Sequence, residues 1–243
     1  MQLVFVRHAE PDYSVDSLTP EGFREAAALA RRAAKWKGRV TACFQSPHGR
    51  ARDTAAPCLE ALGMEAETIP WLREFTTDWH RRPDGSEATH LWDLLPSYRT
   101  EQPRLAEPEG WTGAPYPGSI ADKVGPMWEE VKSGIDGILA RFGYVRERGF
   151  YRVAPDARRD ALLVFFCHLG LAGTVCGHVL GIAPPQLWHS FFMPPSGVTV
   201  LNTEERVSGI AAFRCQVMGD TSHLREAGLS VSPMGGYGPV FSD

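Results

Sequence analysis

The residues of this chain that are best suited to chemistry are arginines and histidines that follow apolar runs. Arg7 and His8 directly follow one such run, and His168 directly follows another. Arg50 lies shortly after a third run, behind a Ser-Pro pair. Arginine keeps its charge and forms paired hydrogen bonds with phosphate oxygens, and a neutral imidazole can attack phosphorus and leave again in a second step. These residues therefore indicate phosphoryl transfer through a histidine.

The order of these residues is more informative than any one of them, because single arginines and histidines are common on protein surfaces. The chain carries strand-Arg-His, then Ser46-Pro-x-x-Arg-Ala-x-x-Thr-Ala, then strand-His. It has no P-loop, no dinucleotide-binding glycine pattern, no GxSxG turn and no His spacing typical of metal sites. We therefore expect neither a metal nor a cofactor.

The elements that must position these residues alternate between strands and helices. Strands are predicted at 3–6, 40–44, 68–70, 161–167, 197–201 and 210–216. Helices are predicted at 21–36, 49–62, 123–142 and 171–180. This alternation predicts an α/β fold with a mainly parallel sheet. Ligands of such sheets bind beyond the carboxyl ends of the strands, so the arginines and histidines are expected to meet there.

The bulk composition excludes several other classes of function. The 243 residues carry a net charge of −4, which favours neither nucleic acid nor an anionic membrane as a partner. No apolar stretch approaches the length of a membrane span, and the start has no leader pattern. The five cysteines include no CxxC pair. We expect a cytoplasmic protein with a small-molecule phosphate ester as its partner, while the sequence leaves the oligomeric state open.

The segment 75–118 differs in composition from the rest of the chain. It mixes tryptophans, prolines and charged residues without a clear period. We interpret it as a cap inserted over the site of a single domain spanning residues 1–243. The cap would set the substrate, but its pattern does not indicate which one. The tail after Gly228 is rich in Gly, Ser and Pro and is expected to be irregular.

These motifs together resemble the histidine phosphatase superfamily, also called the phosphoglycerate mutase-like proteins. The first is the Arg-His motif at residues 7–8, within LVFVRHAE, followed by the LTPEG turn at 18–22. The second is SPHGRARDTA at 46–55, followed by WLRE at 71–74. The last are FCHLG at 166–170 and GDTSHL at 219–224. The resemblance implies a three-layer α/β/α sandwich with a mainly parallel central sheet and an inserted cap.

The resemblance also implies a role for each matching residue. His8 would be the nucleophile, and Arg7, Arg50 and His168 would hold the phosphoryl oxygens. Glu74 would protonate the leaving group and then activate water, with Asp78, four residues further on, as the alternative. Ser14 lies where some relatives have a polar phosphate contact. The implied activity is that of a histidine acid phosphatase-type phosphomonoesterase that needs no metal.

Two residues depart from the family pattern, and two other functions are alternatives to the phosphatase. Ala9 and Leu169 stand where glycine is frequent, and each would be strained if its position required a positive φ. One alternative is a phosphoglycerate mutase, although the first loop differs from the usual mutase sequence. The other is a non-catalytic protein that binds a phosphate ligand.

Because the nucleophile must be neutral and the donor protonated, we predict highest activity on the acidic side of neutral.

Overall fold

The computed structural model describes residues 1–76, 80–81, 87–88, 90–116 and 120–234. Its strands are β1 (Gln2–Arg7), β2 (Pro11–Asp12), β3 (Ser17–Leu18), β4 (Ala42–Gln45), β5 (Ala66–Thr68), β6 (His80–Arg81), β7 (Glu87–Ala88), β8 (Tyr144–Glu147), β9 (Phe150–Val153), β10 (Leu162–Cys167), β11 (Val198–Val207) and β12 (Ile210–Asp220). Its α-helices are α1 (Pro20–Ala34), α2 (Gly49–Leu62), α3 (Pro96–Glu101), α4 (Ile120–Arg141), α5 (Leu169–Leu180), α6 (Pro184–Ser190) and α7 (Ser222–Glu226).

Eight of these strands form one sheet in the order β5-β4-β10-β1-β11-β12-β9-β8. The first four are parallel neighbours. From β11 onward each strand is antiparallel to the one before it. Six of the eight strands therefore run in the same direction. The prediction of an α/β fold with a mainly parallel central sheet is confirmed.

The central strands are covered on both faces, which explains why their sequences are continuous apolar runs. Successive side chains of a strand point to opposite faces. In β1, Leu3 and Phe5 belong to the larger apolar core, whereas Val4 and Val6 belong to a second core. The larger core includes residues of α4, α5 and α6, and the second includes residues of α1 and α2. Helices thus flank the sheet on both sides and form the three layers.

Several element boundaries differ from those predicted. The strand predicted at 68–70 is β5, which ends at Thr68 because Pro70 has no N–H to donate and begins a 3₁₀ turn, Pro70–Leu72. Helix α4 begins at Ile120 rather than at residue 123. The strands predicted at 197–201 and 210–216 are the longer pair β11 and β12. The hairpin of β8 and β9 and the short helices α6 and α7 were not predicted.

The described part of segment 75–118 packs against the larger core. It contains α3 and the 3₁₀ turns Leu91–Asp93, Pro103–Ala106 and Trp111–Gly113. The Trp111 ring lies edge-on to Trp188 of α6, with centroids 5.4 Å apart. Phe75 lies 5.5 Å from the same ring. Aromatic side chains thus anchor the described part of this segment beside α6.

None of the helices in the described part of the chain has the length and apolarity that crossing a membrane requires. The five cysteines are free thiols, and four of them are buried.

Candidate active site

The register of the sheet brings the two histidines together. Arg7 at the end of β1 pairs with Cys167 at the end of β10, so the residues that follow them leave the sheet side by side. The ring centroids of His8 and His168 are 5.2 Å apart in an edge-to-face arrangement. Both side chains are buried. The strand ends that carry the two histidines therefore meet at the carboxyl edge of the sheet.

The hydrogen bond of His8 identifies which of its nitrogens can act as a nucleophile. Nδ1 lies 2.8 Å from the carbonyl oxygen of Ala9. A carbonyl oxygen can only accept, so Nδ1 carries the proton and Nε2 of the neutral ring keeps a free lone pair. Burial, together with the charge of Arg7, holds the pKa of His8 well below its usual range. The ring is therefore neutral at neutral pH, with Nε2 available.

Arg7 lies next to this nucleophile and is itself buried. Its Nη1 donates a hydrogen bond of 2.7 Å to the carbonyl oxygen of Met193. Burial lowers the pKa of Arg7, and the charge of Glu74 acts in the opposite direction. Arginine nevertheless remains charged in proteins. Among the described residues, its Nε is buried without a hydrogen-bond partner, so Arg7 has an unused donor beside His8.

Arg50 enters the same region from the first turn of α2. Its side chain is only 11% exposed, and its Nη1 lies 2.5 Å from Oδ1 of Asp16. The guanidinium also lies over the ring of Tyr13, 5.4 Å from its centroid. Like that of Arg7, its Nε is buried and has no partner within the described part of the chain. Two arginines with unused donors are thus held beside two neutral histidines.

Ser46 is the hydrogen-bond partner of the His168 ring. The Ser46 hydroxyl oxygen lies 2.7 Å from Nε2 of His168 and accepts a hydrogen bond from the backbone N of His48. A hydroxyl has one proton to donate, and we assign that proton to a bond with Nε2. Nδ1 of His168 then carries the ring proton. Burial holds the pKa of His168 well below its usual range, so the ring is a neutral donor.

Glu74 lies at the N-terminus of α5, the helix that begins directly after His168. Its Oε1 accepts hydrogen bonds from the backbone N of Phe75 and of Leu171. Its Oε2 lies 3.4 Å from the backbone N of Gly170. The first N–H groups of a helix have no partner within the helix, and Glu74 supplies one from 97 residues away. This bond explains why α5 begins at Leu169 and not at the predicted residue 171.

The two departures from the glycine pattern cause no backbone strain. Neither Ala9 nor Leu169 has a positive φ. The backbone N of Ala9 donates to the hydroxyl of Thr54, which itself donates to the carbonyl oxygen of Arg50. Leu169 is the first residue of α5. A side chain is therefore compatible with the backbone at both positions.

Two aromatic rings of segment 75–118 lie close to Glu74. The rings of His90 and Trp92 are stacked, with centroids 4.5 Å apart. Trp92 lies against α5 so closely that a Cβ atom on Gly170 would lie 2.0 Å from its ring. Burial lowers the pKa of His90, and the charge of Glu74 partly opposes this. His90 and Trp92 thus lie on the side of the site that contains Glu74.

Two other candidates from the sequence are not part of this group. Ser14 lies in an exposed loop, where its hydroxyl donates to Oδ1 of Asp12. No described hydrogen bond joins Ser14 to the histidines or arginines of the site. Asp78, the alternative to Glu74, lies outside the described residues.

The sequence did not single out four polar residues that contact the site. Ser46 and Thr54 lie within the second motif, which indicated that this segment belongs to the site. The motif did not indicate a role for either residue. His48 lies edge-on to His168, with ring centroids 5.2 Å apart, and Asp16 binds Arg50. No group of three or more His, Cys, Asp or Glu in the described ranges is arranged to hold a metal ion.

Comparison with known proteins gives one family and one fold. The family model of the histidine phosphatase superfamily (branch 1) matches residues 3–138. None of the curated protein sequences matches this chain significantly.

Solved structures with similar folds include two phosphatases. A histidine-to-alanine mutant of phosphoserine phosphatase from Entamoeba histolytica, in complex with phosphoserine, is 19% identical and has a TM-score of 0.57, with 92% of this chain and 98% of that chain covered. A mycobacterial glucosyl-3-phosphoglycerate phosphatase in complex with VO3 is 21% identical and has a TM-score of 0.55, with 89% and 97% covered. At these identities the likeness establishes the fold alone.

Proposed function

The chain belongs to the histidine phosphatase superfamily, and from this membership we propose that it hydrolyses a small phosphomonoester through a phosphohistidine at His8. The observation that carries the proposal is the contact of His8 Nδ1 with the Ala9 carbonyl oxygen at 2.8 Å. It leaves Nε2 with a lone pair in a ring that is neutral at neutral pH. A buried neutral imidazole beside two arginines is suited to attack a phosphoryl group.

In the first step, the Nε2 lone pair forms a bond to phosphorus and the bond from phosphorus to the ester oxygen breaks. Glu74, as the carboxylic acid, gives its proton to the departing oxygen, so the alcohol leaves neutral. Arg7, Arg50 and Nδ1 of His168 donate hydrogen bonds to the phosphoryl oxygens. Their buried, unused donors support this role, because charge-assisted bonds are strong where water is excluded.

In the second step, water attacks phosphorus and the bond to Nε2 breaks. The Glu74 carboxylate takes a proton from the water, which restores the acid for the next cycle. Phosphate leaves, and His8 returns to its neutral form with the proton on Nδ1. No metal is needed, because two arginines and one histidine donor provide the charge and the hydrogen bonds. The acidic optimum stays a prediction of this scheme.

The substrate class is proposed from the surroundings of Glu74. His90 and Trp92 form a stacked pair on the side of the leaving group, so segment 75–118, treated as a cap, would contact the alcohol part of the ester. One protein of similar fold is a phosphoserine phosphatase variant in complex with phosphoserine, and another is a glucosyl-3-phosphoglycerate phosphatase. We therefore propose small phosphorylated metabolites as substrates and would begin with these two esters.

The test compares the wild type with the His8→Ala variant, in EDTA, on a panel of phosphate esters. The panel contains p-nitrophenyl phosphate, phosphoserine, glucosyl-3-phosphoglycerate, 3-phosphoglycerate, and sugar and nucleotide phosphates. We expect phosphate release by the wild type that falls by at least about 10⁴-fold in the variant, because loss of a covalent nucleophile removes the route itself. A circular dichroism spectrum and melting curve of the variant serve as the folding control.

Three results would contradict the proposal, each in favour of a different function. Conversion of 3-phosphoglycerate to its 2-isomer without phosphate release would indicate a mutase. Tight binding of an ester without turnover would indicate a ligand-binding protein. Turnover that survives in His8→Ala would indicate a phosphatase with a different nucleophile.

A further inference from the structure

Asp16 is held in an unusual conformation between β2 and β3. Its φ is +49°, a region that aspartate adopts more readily than most residues other than glycine. Its carbonyl oxygen lies directly against α2, because a Cβ atom on Gly49 would lie 2.0 Å from it. Glycine at position 49 is thus what allows this close approach. The backbone of Asp16 is therefore fixed against the first turn of α2.

The carboxylate of Asp16 is fixed there as well. Oδ2 accepts a hydrogen bond of 2.8 Å from the backbone N of Gly49, one of the N–H groups that a helix start leaves unpaired. The same oxygen lies 3.6 Å from Nδ1 of His48. These two contacts hold the carboxylate independently of Arg50. Asp16 is thus attached to the start of α2 by its backbone and by its side chain.

The other oxygen of the carboxylate holds Arg50. Oδ1 lies 2.5 Å from Nη1, and no other hydrogen bond of the Arg50 side chain occurs in the described part of the chain. A guanidinium has five N–H donors in one plane. Fixing one end of that plane fixes the direction of the remaining donors, including Nε, which is buried and has no partner. The orientation of Arg50 therefore depends on Asp16.

We propose that Asp16 is a positioning residue, which holds the Arg50 guanidinium by Nη1 so that its remaining N–H groups bind the phosphoryl group. This inference rests on the proposed function, because that function is what gives Arg50 a phosphoryl group to bind. Asp16 does not contact the substrate. It acts through Arg50, as an outer residue that orients an inner ligand does.

The Asp16 carboxylate also repels phosphate, and this effect on phosphate affinity is weaker than the effect of orienting Arg50. A negative charge near an anion site repels phosphate, so its removal alone would tighten binding by about threefold, given that Asp16 is 45% exposed and screened by water. A misdirected arginine instead loses charge-assisted hydrogen bonds, which lowers affinity by about tenfold or more. The orientation effect therefore decides the sign, and loss of the carboxylate weakens binding.

The test measures inorganic phosphate binding by calorimetry, which does not depend on turnover. Asp16→Asn keeps the side-chain volume and an oxygen for the Gly49 N–H but removes the anion that binds Arg50. The matched control is Asp53→Asn. Asp53 also joins α2 to the same hairpin, through a bond of 2.5 Å from the Ser17 hydroxyl to its Oδ2. Both variants are repeated in the Arg50→Ala background.

We expect Asp16→Asn to weaken phosphate binding about tenfold, and to raise KM more than it lowers kcat. We expect Asp53→Asn to change binding less than twofold, although both variants lower the melting temperature. In the Arg50→Ala background, Asp16→Asn should have no further effect, since its target is gone. Tighter binding in Asp16→Asn, an equal loss in Asp53→Asn, or an undiminished loss in the Arg50→Ala background would each overturn the inference. A wild type that binds no phosphate would instead reject the proposed function, and this inference with it.

Discussion

Glu74 accepts a hydrogen bond of 2.9 Å from the backbone N of Leu171, three residues after His168. The proposed proton donor is therefore attached to the same helix end that follows the second histidine. The start of α5 cannot move relative to Glu74 without breaking this contact. Binding of the phosphoryl oxygens and protonation of the leaving group are thus linked through the start of α5.

Glu74→Gln tests whether Glu74 is the proton donor. Glutamine still offers an oxygen to Leu171, so α5 should remain capped, but it has no proton to transfer. We expect kcat to fall by about 10²- to 10⁴-fold for alkyl phosphates. The loss should be far smaller for p-nitrophenyl phosphate, whose leaving group departs readily as an anion.

Asp78→Asn is the corresponding control for the alternative donor. If Glu74 is the donor, the ratio of kcat for alkyl phosphates to kcat for p-nitrophenyl phosphate is the same in this variant as in the wild type. A selective loss with alkyl phosphates in Asp78→Asn, and none in Glu74→Gln, would assign the role to Asp78. Steady-state kinetics on both substrates settle the matter.

Ser46→Ala tests the assigned tautomer of His168. Without the hydroxyl, Nε2 loses its partner at 2.7 Å, and the ring proton is no longer fixed on Nδ1. We expect kcat/KM to fall about tenfold, because one donor to the phosphoryl oxygens is then correctly placed only part of the time. Ser17→Ala, which also removes a part-buried hydroxyl, should leave kcat/KM nearly unchanged. Equal rates for Ser46→Ala and the wild type would contradict the assignment.

Gly170→Ala tests how closely segment 75–118 packs on α5. The new Cβ atom would lie 2.0 Å from the Trp92 ring and 2.9 Å from Oε1 of Glu74, so both must move. We expect the free energy of unfolding to fall by about 1–3 kcal/mol and activity to fall with it. Gly137→Ala on α4 meets nothing within 4 Å and should gain about 0.5–1 kcal/mol from helix propensity. Chemical denaturation measures both, and a stable, active Gly170→Ala variant would be inconsistent with the packing described.

Glu25 on α1 makes stability depend on pH. It is fully buried, and burial raises its pKa from 4.5 to about 7. Between these pH values the folded state keeps a proton that the unfolded state has lost, so the stability contributed by Glu25 declines as pH rises through this window. Glu25→Gln avoids the buried charge and keeps an acceptor for the backbone N of Glu10. We therefore expect the variant to gain on the order of 2 kcal/mol relative to wild type between pH 4.5 and pH 8.

Urea denaturation at the two pH values measures this difference. Glu21→Gln is the matched control, since Glu21 lies on the same helix but is 40% exposed. It reports the effect of the same substitution at an exposed position of α1, and the difference for Glu25→Gln should change with pH by more than that of the control. A pH-independent difference for Glu25→Gln would show that Glu25 keeps an ordinary pKa.

The sequence alone predicted that the residues at the ends of the buried strands would lie close together. Arg7 pairs with Cys167 across two neighbouring strands, so two apolar runs followed by His8 and His168 already implied adjacent histidines. The alternation of strands and helices predicted the α/β class for the same reason. These features depend on local patterns and on the general geometry of parallel sheets.

The sequence could not predict contacts that join distant segments through single hydrogen bonds. The bond from Ser46 to His168 spans 122 residues, and that from Arg50 to Asp16 spans 34. Neither leaves a periodic signal. The start of α5 was placed two residues late because its cap, Glu74, comes from another part of the chain. The hairpin of β8 and β9 lies at the sheet edge, and each of its strands is only four residues long, which is too short for a clear periodic signal.

The most direct test of the central claim is to locate the phosphate on the enzyme. Wild type and His8→Ala would be mixed with p-nitrophenyl phosphate, quenched in alkali within milliseconds and digested, and the phosphopeptide identified by mass spectrometry and by phosphorus NMR. We expect phosphate on Nε2 of His8, because Nδ1 is hydrogen-bonded to the Ala9 carbonyl oxygen, and no phosphate on the variant. Phosphate on Nδ1, on another residue, or on no residue of an enzyme that is turning over would contradict it.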